Sequence, residues 1–438
     1  MSESPQTAVG KSSVVPSRRW LLVFLTVGSL GLAIWAVAEI VGIERALSRG
    51  RMLLRRDRPA EAERELNRYL WLHPRSPEAI LLLAEAVISG NERSPQEAAE
   101  LAIGQMKTIP DESPFGAEAR MREGRLTLLI LHQPDRAEKL LMRSAELDPK
   151  LPDSHYLLWK LFDMTERFYY SEPHFWNTYN LSPDALKAEQ LRNWYLSQFS
   201  PGTSNAELDR RMGFLTPEEL PGDHIDLVRL DTFLSNEADS PMVVAANARF
   251  LLHLHERDEA IKVLTGISAT EEAIRNPFYL SAMVTVLMEL GRLDEARSYF
   301  GRWPQPGTGF VYWSVAGRVF EVADRNDRSA VKAFDDALSI WPGPVEWSIM
   351  HRKAQCLARL GDRSAADAML KEAKRIELLM EPEVHQKLRL AMADLSSRES
   401  LLEMVEFYQL INRQREAECW QRVIDRLPSL PIRVYSGR

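Results

Sequence analysis

Seven stretches of this chain set an alanine four residues ahead of a second apolar side chain, which is one helical turn along the same face. The pairs are Ala62 and Leu66, Ala98 and Ala102, Ala137 and Leu141, Ala260 and Leu264, Ala296 and Phe300, Ala330 and Phe334, and Ala366 and Leu370. Neighbouring alanines are 36 and 39 residues apart in the first run and 36, 34 and 36 in the second. A recurrence of that length predicts stacked helix pairs, each too small to bury its apolar face alone. Pro59, Pro95 and Pro134 stand three places before their alanines, in the predicted first helical turn, where a missing N–H costs nothing.

The fullest copy runs Trp313, Ala316, Gly317, Phe320, Ala330, Phe334, Ala337 and Pro342, with one extra residue in its turn. Another reads Met350, Ala354, Leu357, Gly361, Ala366, Leu370 and Ala373, with Leu378 where a proline would close it. In this order of large, small, aromatic and small residues the chain resembles the tetratricopeptide repeat family. The resemblance implies an all-α, helix-turn-helix solenoid in two arrays. It also implies a role in binding peptides or helices of other proteins along the groove formed by the first helix of each pair. The small residues expected at the close helix crossings are Ala62, Ala98, Ala137, Ala260, Ala296, Gly317, Ala330, Ala354 and Ala366, because a larger side chain there would force the backbones apart.

Those arrays are predicted at 43–167 and 241–378. Between them, 168–240 lacks a phased alanine but holds Phe168, Tyr169, Tyr170, Phe175, Trp176, Tyr179, Trp194 and Tyr195 among five prolines. Helices are predicted near 184–199 and 205–213, while a helix over 152–167 begins a hairpin with no second half in view. The aromatics suit either a wall that binds a peptide or a cover over a break in the stack. The candidate partner-binding residues are Tyr169, Tyr170, Trp176 and Trp194. Residues 379–427 read as helices that cap the array, and 428–438 as a tail.

The chain begins with a polar tail, 1–19, followed by an uncharged run over 20–38 that extends to Gly42 past Glu39. Such a run, 20–42, predicts one transmembrane helix or signal anchor ahead of the solenoid, with cleavage after Ala38 as the alternative. Ser17-Arg18-Arg19 is similar to a twin-arginine export signal, whereas the arginines from Arg45 to Arg58 favour keeping the repeats inside. The expectation adopted is a single-pass membrane protein whose repeats lie outside the cytoplasm. Ser29 and Ala33, four apart in this run, and the stacked repeats leave homo-oligomerisation open.

Overall charge is −7 with 27% charged residues, acids and bases intermingled, so the basic footprint of a nucleic-acid binder is missing. Phosphate-cradling, nucleophile-elbow and zinc-protease motifs are all missing from the sequence. No cofactor, metal or catalytic residue is expected, and the predicted partners are other proteins and the membrane. The competing function is an enzyme or metal site in 168–240, where Asp223-His224-Ile225-Asp226 holds the best acid–base group.

Overall fold

The computed structural model describes residues 42–220, 223–341 and 346–427, and among these there are helices and turns but no strand. The tail over 1–19, nearly all of the expected span over 20–42, Pro342 and the tail over 428–438 lie outside the described residues. Among the described residues no helix is long and apolar enough to cross a membrane. On that finding the expected single-pass, extracytoplasmic location is withdrawn.

The chain forms two compact units that meet at Ile109 and Pro110, inside the first expected array. The first unit contains α1 over 42–55, α2 at Pro59–Leu72, α3 at Pro77–Ser89 and α4 at Pro95–Met106. Prolines open α2 and α4 as their spacing predicts, and α4 adds a capping box in which Ser94 and Glu97 exchange hydrogen bonds.

The second unit holds α5 (Gly116–Leu129), α6 (Pro134–Leu147), α7 (Pro152–Met164), α8 (Phe168–Leu181), α9 (Lys187–Phe199), α10 (Pro201–Met212) and α11 (Asp223–Asn236). It continues through α12 (Pro241–His253), α13 (Arg257–Thr265), α14 (Pro277–Glu289), α15 (Leu293–Phe300), α16 (Gly309–Arg318) and α17 (Asp327–Ile340). The last helices are α18 (Trp347–Arg359), α19 (Arg363–Leu379), α20 (Pro382–Ala391), α21 (Arg398–Leu410) and α22 (Gln414–Arg426).

Most hairpins turn on one left-handed residue: Asp57, His132, Glu166, His255, Gly291, Arg325, Gly361 and Asn412 have φ between 52° and 89°. The next N–H reaches back to close the helix, as Arg58 N does to Leu53 O at 3.0 Å and Asp362 N to Leu357 O at 3.0 Å. Five residues after each left-handed position comes the buried small residue of the second helix. At Glu166 that residue is Ser171, fully buried and 34 residues after Ala137. Thus α7 and α8 form a complete hairpin, and the repeat register runs on to Leu181 rather than stopping at 167.

The small positions work by close approach. Ala62, Ala137, Ala260, Ala296 and Ala330 are wholly buried, while Ala98, Ala354 and Ala366 are 3%, 4% and 6% exposed. A Cβ added to Gly317 would lie 2.4 Å from the Phe334 ring, and one at Gly50 or Gly124 would lie 2.7 Å from Cγ of Leu66 or Leu141. In each case the glycine of the first helix meets the residue that follows the phased alanine by four. The extra residue of the Gly317 copy is taken up in a π turn over Val319–Ala323, a common way to insert one residue into a helix.

Candidate functional site

The chain's aromatic segment is built into the second unit by its C-terminal helices. Phe175 of α8 stacks on Trp194 of α9, with ring centroids 4.4 Å apart and planes 4° from parallel, and Trp159 of α7 meets Phe175 edge-on at 5.2 Å. This cluster shares one core with Leu388, Leu401, Met404, Phe407, Tyr408, Trp420 and Ile424 of α20–α22. Polar links follow the same seam. Trp194 Nε1 donates to Glu416 at 3.3 Å, Tyr408 donates to Gln198 at 3.1 Å, and Tyr195 Oη lies 2.7 Å from His385 Nδ1. Burial holds His385 down at about 4, so the ring is neutral near pH 7.

Glu172 is the joint of the seam. Its carboxylate accepts from Arg413 at 2.8 Å, from Trp176 Nε1 at 3.1 Å, and from Trp341 Nε1. Three donors from α8, the end of α17 and the residue before α22 therefore converge on one carboxylate. Arg413 also donates to Glu416 at 2.8 Å, and Arg415 lies 3.7 Å from the ring centre of Trp176.

Packed in this way, the start of α8 faces the first helices of the following repeats. A cavity of about 490 Å³ lies between Glu166–Tyr170 and the inner faces of α12, α14, α16 and α18. Arg249, Thr285 and Arg318 each directly follow the first-helix residue at the repeat's close-packed position, Ala248, Val284 or Gly317, and all three line this cavity. A second cavity of about 980 Å³ is bounded by Met142, His174, Trp176, Asn180, Ile340 and Arg415, among others. Tyr169, Tyr170, Phe278 and Trp341 line both cavities.

Of the expected partner-binding residues, Tyr169 and Tyr170 stand between the two cavities, and Tyr170 is 40% exposed. Trp176 lines the larger cavity with 5% of its surface exposed. Trp194 is 1% exposed and supports Phe175 from behind. Phe278, Phe310, Trp341, Arg249 and Glu346 were not among the residues expected from sequence. The place of Arg249 directly after buried Ala248, matching that of Arg318 after Gly317, is the signal that would have marked the cavity lining.

Most charges around the smaller cavity are paired. Arg318 donates to Glu289 at 2.8 Å, Arg352 to Glu321 at 3.1 Å, and Arg167 grips Glu138 with bonds of 3.1 and 2.6 Å. Arg249 is different. Its side chain lies 5.5 Å from the Phe278 ring centre, and its buried Nε has no hydrogen-bond partner. Burial raises the carboxyl of Glu346 to about 7 and raises that of Glu166 as well, and in both Arg249 opposes the rise.

The acid–base group seen in the sequence is divided. Asp226 pairs with Arg229, which also donates to Asp209 at 2.7 Å, while His224 is exposed. Among the described residues no group of three His, Cys, Asp or Glu side chains is placed to hold a metal ion. Cys356 and Cys419 are buried free thiols.

No family model matches the chain, and no curated protein matches it. Among solved structures it is similar to the Cut9–Hcn1 hetero-tetramer of APC/C, at 11% identity over 94% of this chain and 97% of that one, with a TM-score of 0.34. It is also similar to a tetratricopeptide repeat protein from Parabacteroides merdae, at 10% identity over 72% and 99% of the two chains, with a TM-score of 0.29. A third similar structure is Pseudomonas aeruginosa pilF, at 16% identity over 53% and 95%, with a TM-score of 0.26.

Proposed function

We propose that this chain is a protein-binding scaffold whose second unit holds a peptide or helical segment of another protein in the cavities on either side of Tyr169 and Tyr170, and so helps to assemble a complex. The observation that supports this reading is the tyrosine pair itself. Its side chains line two adjoining cavities, and the helix that carries it is held from behind by Phe175, Trp194 and the Glu172 joint. A rigid, partly apolar concavity with a few polar groups favours capture of a chain segment, because little ordering cost falls on the receptor.

Selecting displayed random 12-residue peptides against the full chain tests this reading. The selected peptides should lose about tenfold or more in affinity for Tyr169→Ala and for Phe310→Ala, with each variant's helical circular dichroism unchanged. Retained affinity in both folded variants, or failure to select any peptide, overturns it.

A further inference from the structure

Around Arg249 the smaller cavity carries a local imbalance of charge. Away from it the charges are engaged in ion pairs: Arg318 and, at 3.8 Å, Arg257 both reach Glu289, and Arg352 and Arg359 pair with Glu321 and Asp327. Among the described residues, the side chains of Arg249, Glu166 and Glu346 have no hydrogen bond or ion pair, and all three line this cavity. Both carboxylates lie within electrostatic reach of Arg249, and one guanidinium cannot balance two carboxylates. The groups beyond Glu166 do not correct the shortage: Asp226 and Arg229 face it along with exposed His253, and Arg229 is already held between Asp226 and Asp209.

Mostly buried carboxylates without partners are costly, and a cation brought between them would offset that cost. The rest of the lining suits the stem of a long basic side chain. Tyr169, Phe310 and Trp341 form a continuous aromatic patch, with ring centroids 5.2 to 5.5 Å apart. Such faces attract a guanidinium or ammonium as well as its methylenes.

We infer that the cavity between Glu166–Tyr170 and the inner faces of α12–α18 receives an arginine or lysine side chain of the partner segment, placed between Glu166 and Glu346 and packed on Tyr169, Phe310 and Trp341. This inference rests on the peptide-binding reading and adds the chemistry of the segment. An acidic side chain is rejected because it would meet two carboxylates for one free guanidinium. The raised carboxyl of Glu346 agrees with a site that lacks its cation, and binding should release a proton near pH 7.

The same peptide selection, read for composition, provides the test. Arginine or lysine should dominate one position of the selected set. Glu346→Gln and, separately, Glu166→Gln should weaken a selected peptide about tenfold or more, and weaken it by a larger factor than they weaken the same peptide with leucine at the basic position. A set without a basic position, a set rich in aspartate or glutamate, or affinity of both glutamine variants for the basic peptide unchanged from that of the unsubstituted chain overturns this inference but leaves the scaffold standing. Failure to select any peptide overturns both.

Discussion

Gly317 shows how much of this fold is decided by the size of single side chains. Replacing it with alanine would gain about 1 kcal/mol of helix propensity, but the new Cβ would fall 2.4 Å from the Phe334 ring. Overpacking of that kind costs about 1–3 kcal/mol, so the contact outweighs the propensity. Gly104 of α4 has nothing within 4 Å of an added Cβ, so there the propensity acts alone. Gly317→Ala should therefore lower the thermal midpoint while Gly104→Ala raises it or leaves it unchanged, as followed by circular dichroism; the opposite order would contradict the packing described. Size is legible in a sequence, which is why the buried alanines stand out without a structure. Ser171 does the same steric work with a hydroxyl, and a search for alanine passes over it. The pairing state of Arg249, Glu166 and Glu346 depends on contacts among hairpins far apart in the chain, and no local pattern contains it.

At the scale of helices and turns, the left-handed residues mark the hairpins more evenly than the alanines do. Six of those at the turns are not glycine: Asp57, His132, His255 and Asn412 are of types only moderately favoured there, and Glu166 and Arg325 carry no such signal. The one-residue excess before Ala330 is visible as spacing, but that it forms a π turn follows only from the structure. Helix α7 departs furthest from a surface-helix pattern. Lys160 and Asp163, polar residues that a periodicity reading sends to solvent, are each 2% exposed. They are buried because α9 and α10 cover them: Lys160 Nζ donates to Ser204 O at 3.0 Å, and both Asp163 oxygens lack a hydrogen-bond partner. Burial raises the Asp163 carboxyl from 3.8 to about 6, against the pull of Lys160. The unfolded chain therefore releases this proton at lower pH than the folded one, and Asp163 makes stability fall as pH rises from about 4 to 6. Asp163→Asn should flatten that part of the profile in urea titrations across pH 4 to 7. An unchanged slope would place the carboxyl in water.

Across the second unit, the aromatic segment and the C-terminal helices complete each other. Read along the chain, the first is an interruption and the second a cap, and each reading is reasonable while the other is out of sight. Brought together, they share one core, and the joint at Glu172 fixes the start of α8 where it forms a wall of both cavities. The helical class and the hairpin period could be drawn from local pattern. The contact between residues 172 and 413 could not, because nothing local specifies a pairing across so long a stretch of chain. A double-mutant cycle on unfolding of the full chain, with Glu172→Gln, Arg413→Gln and the pair, addresses this closure directly. Residues in contact couple by about 0.5–3 kcal/mol, whereas distant ones add to within about 0.5 kcal/mol. Coupling of about 1 kcal/mol or more is the expected result, and strict additivity of the two substitutions would contradict the closure on which the two cavities depend.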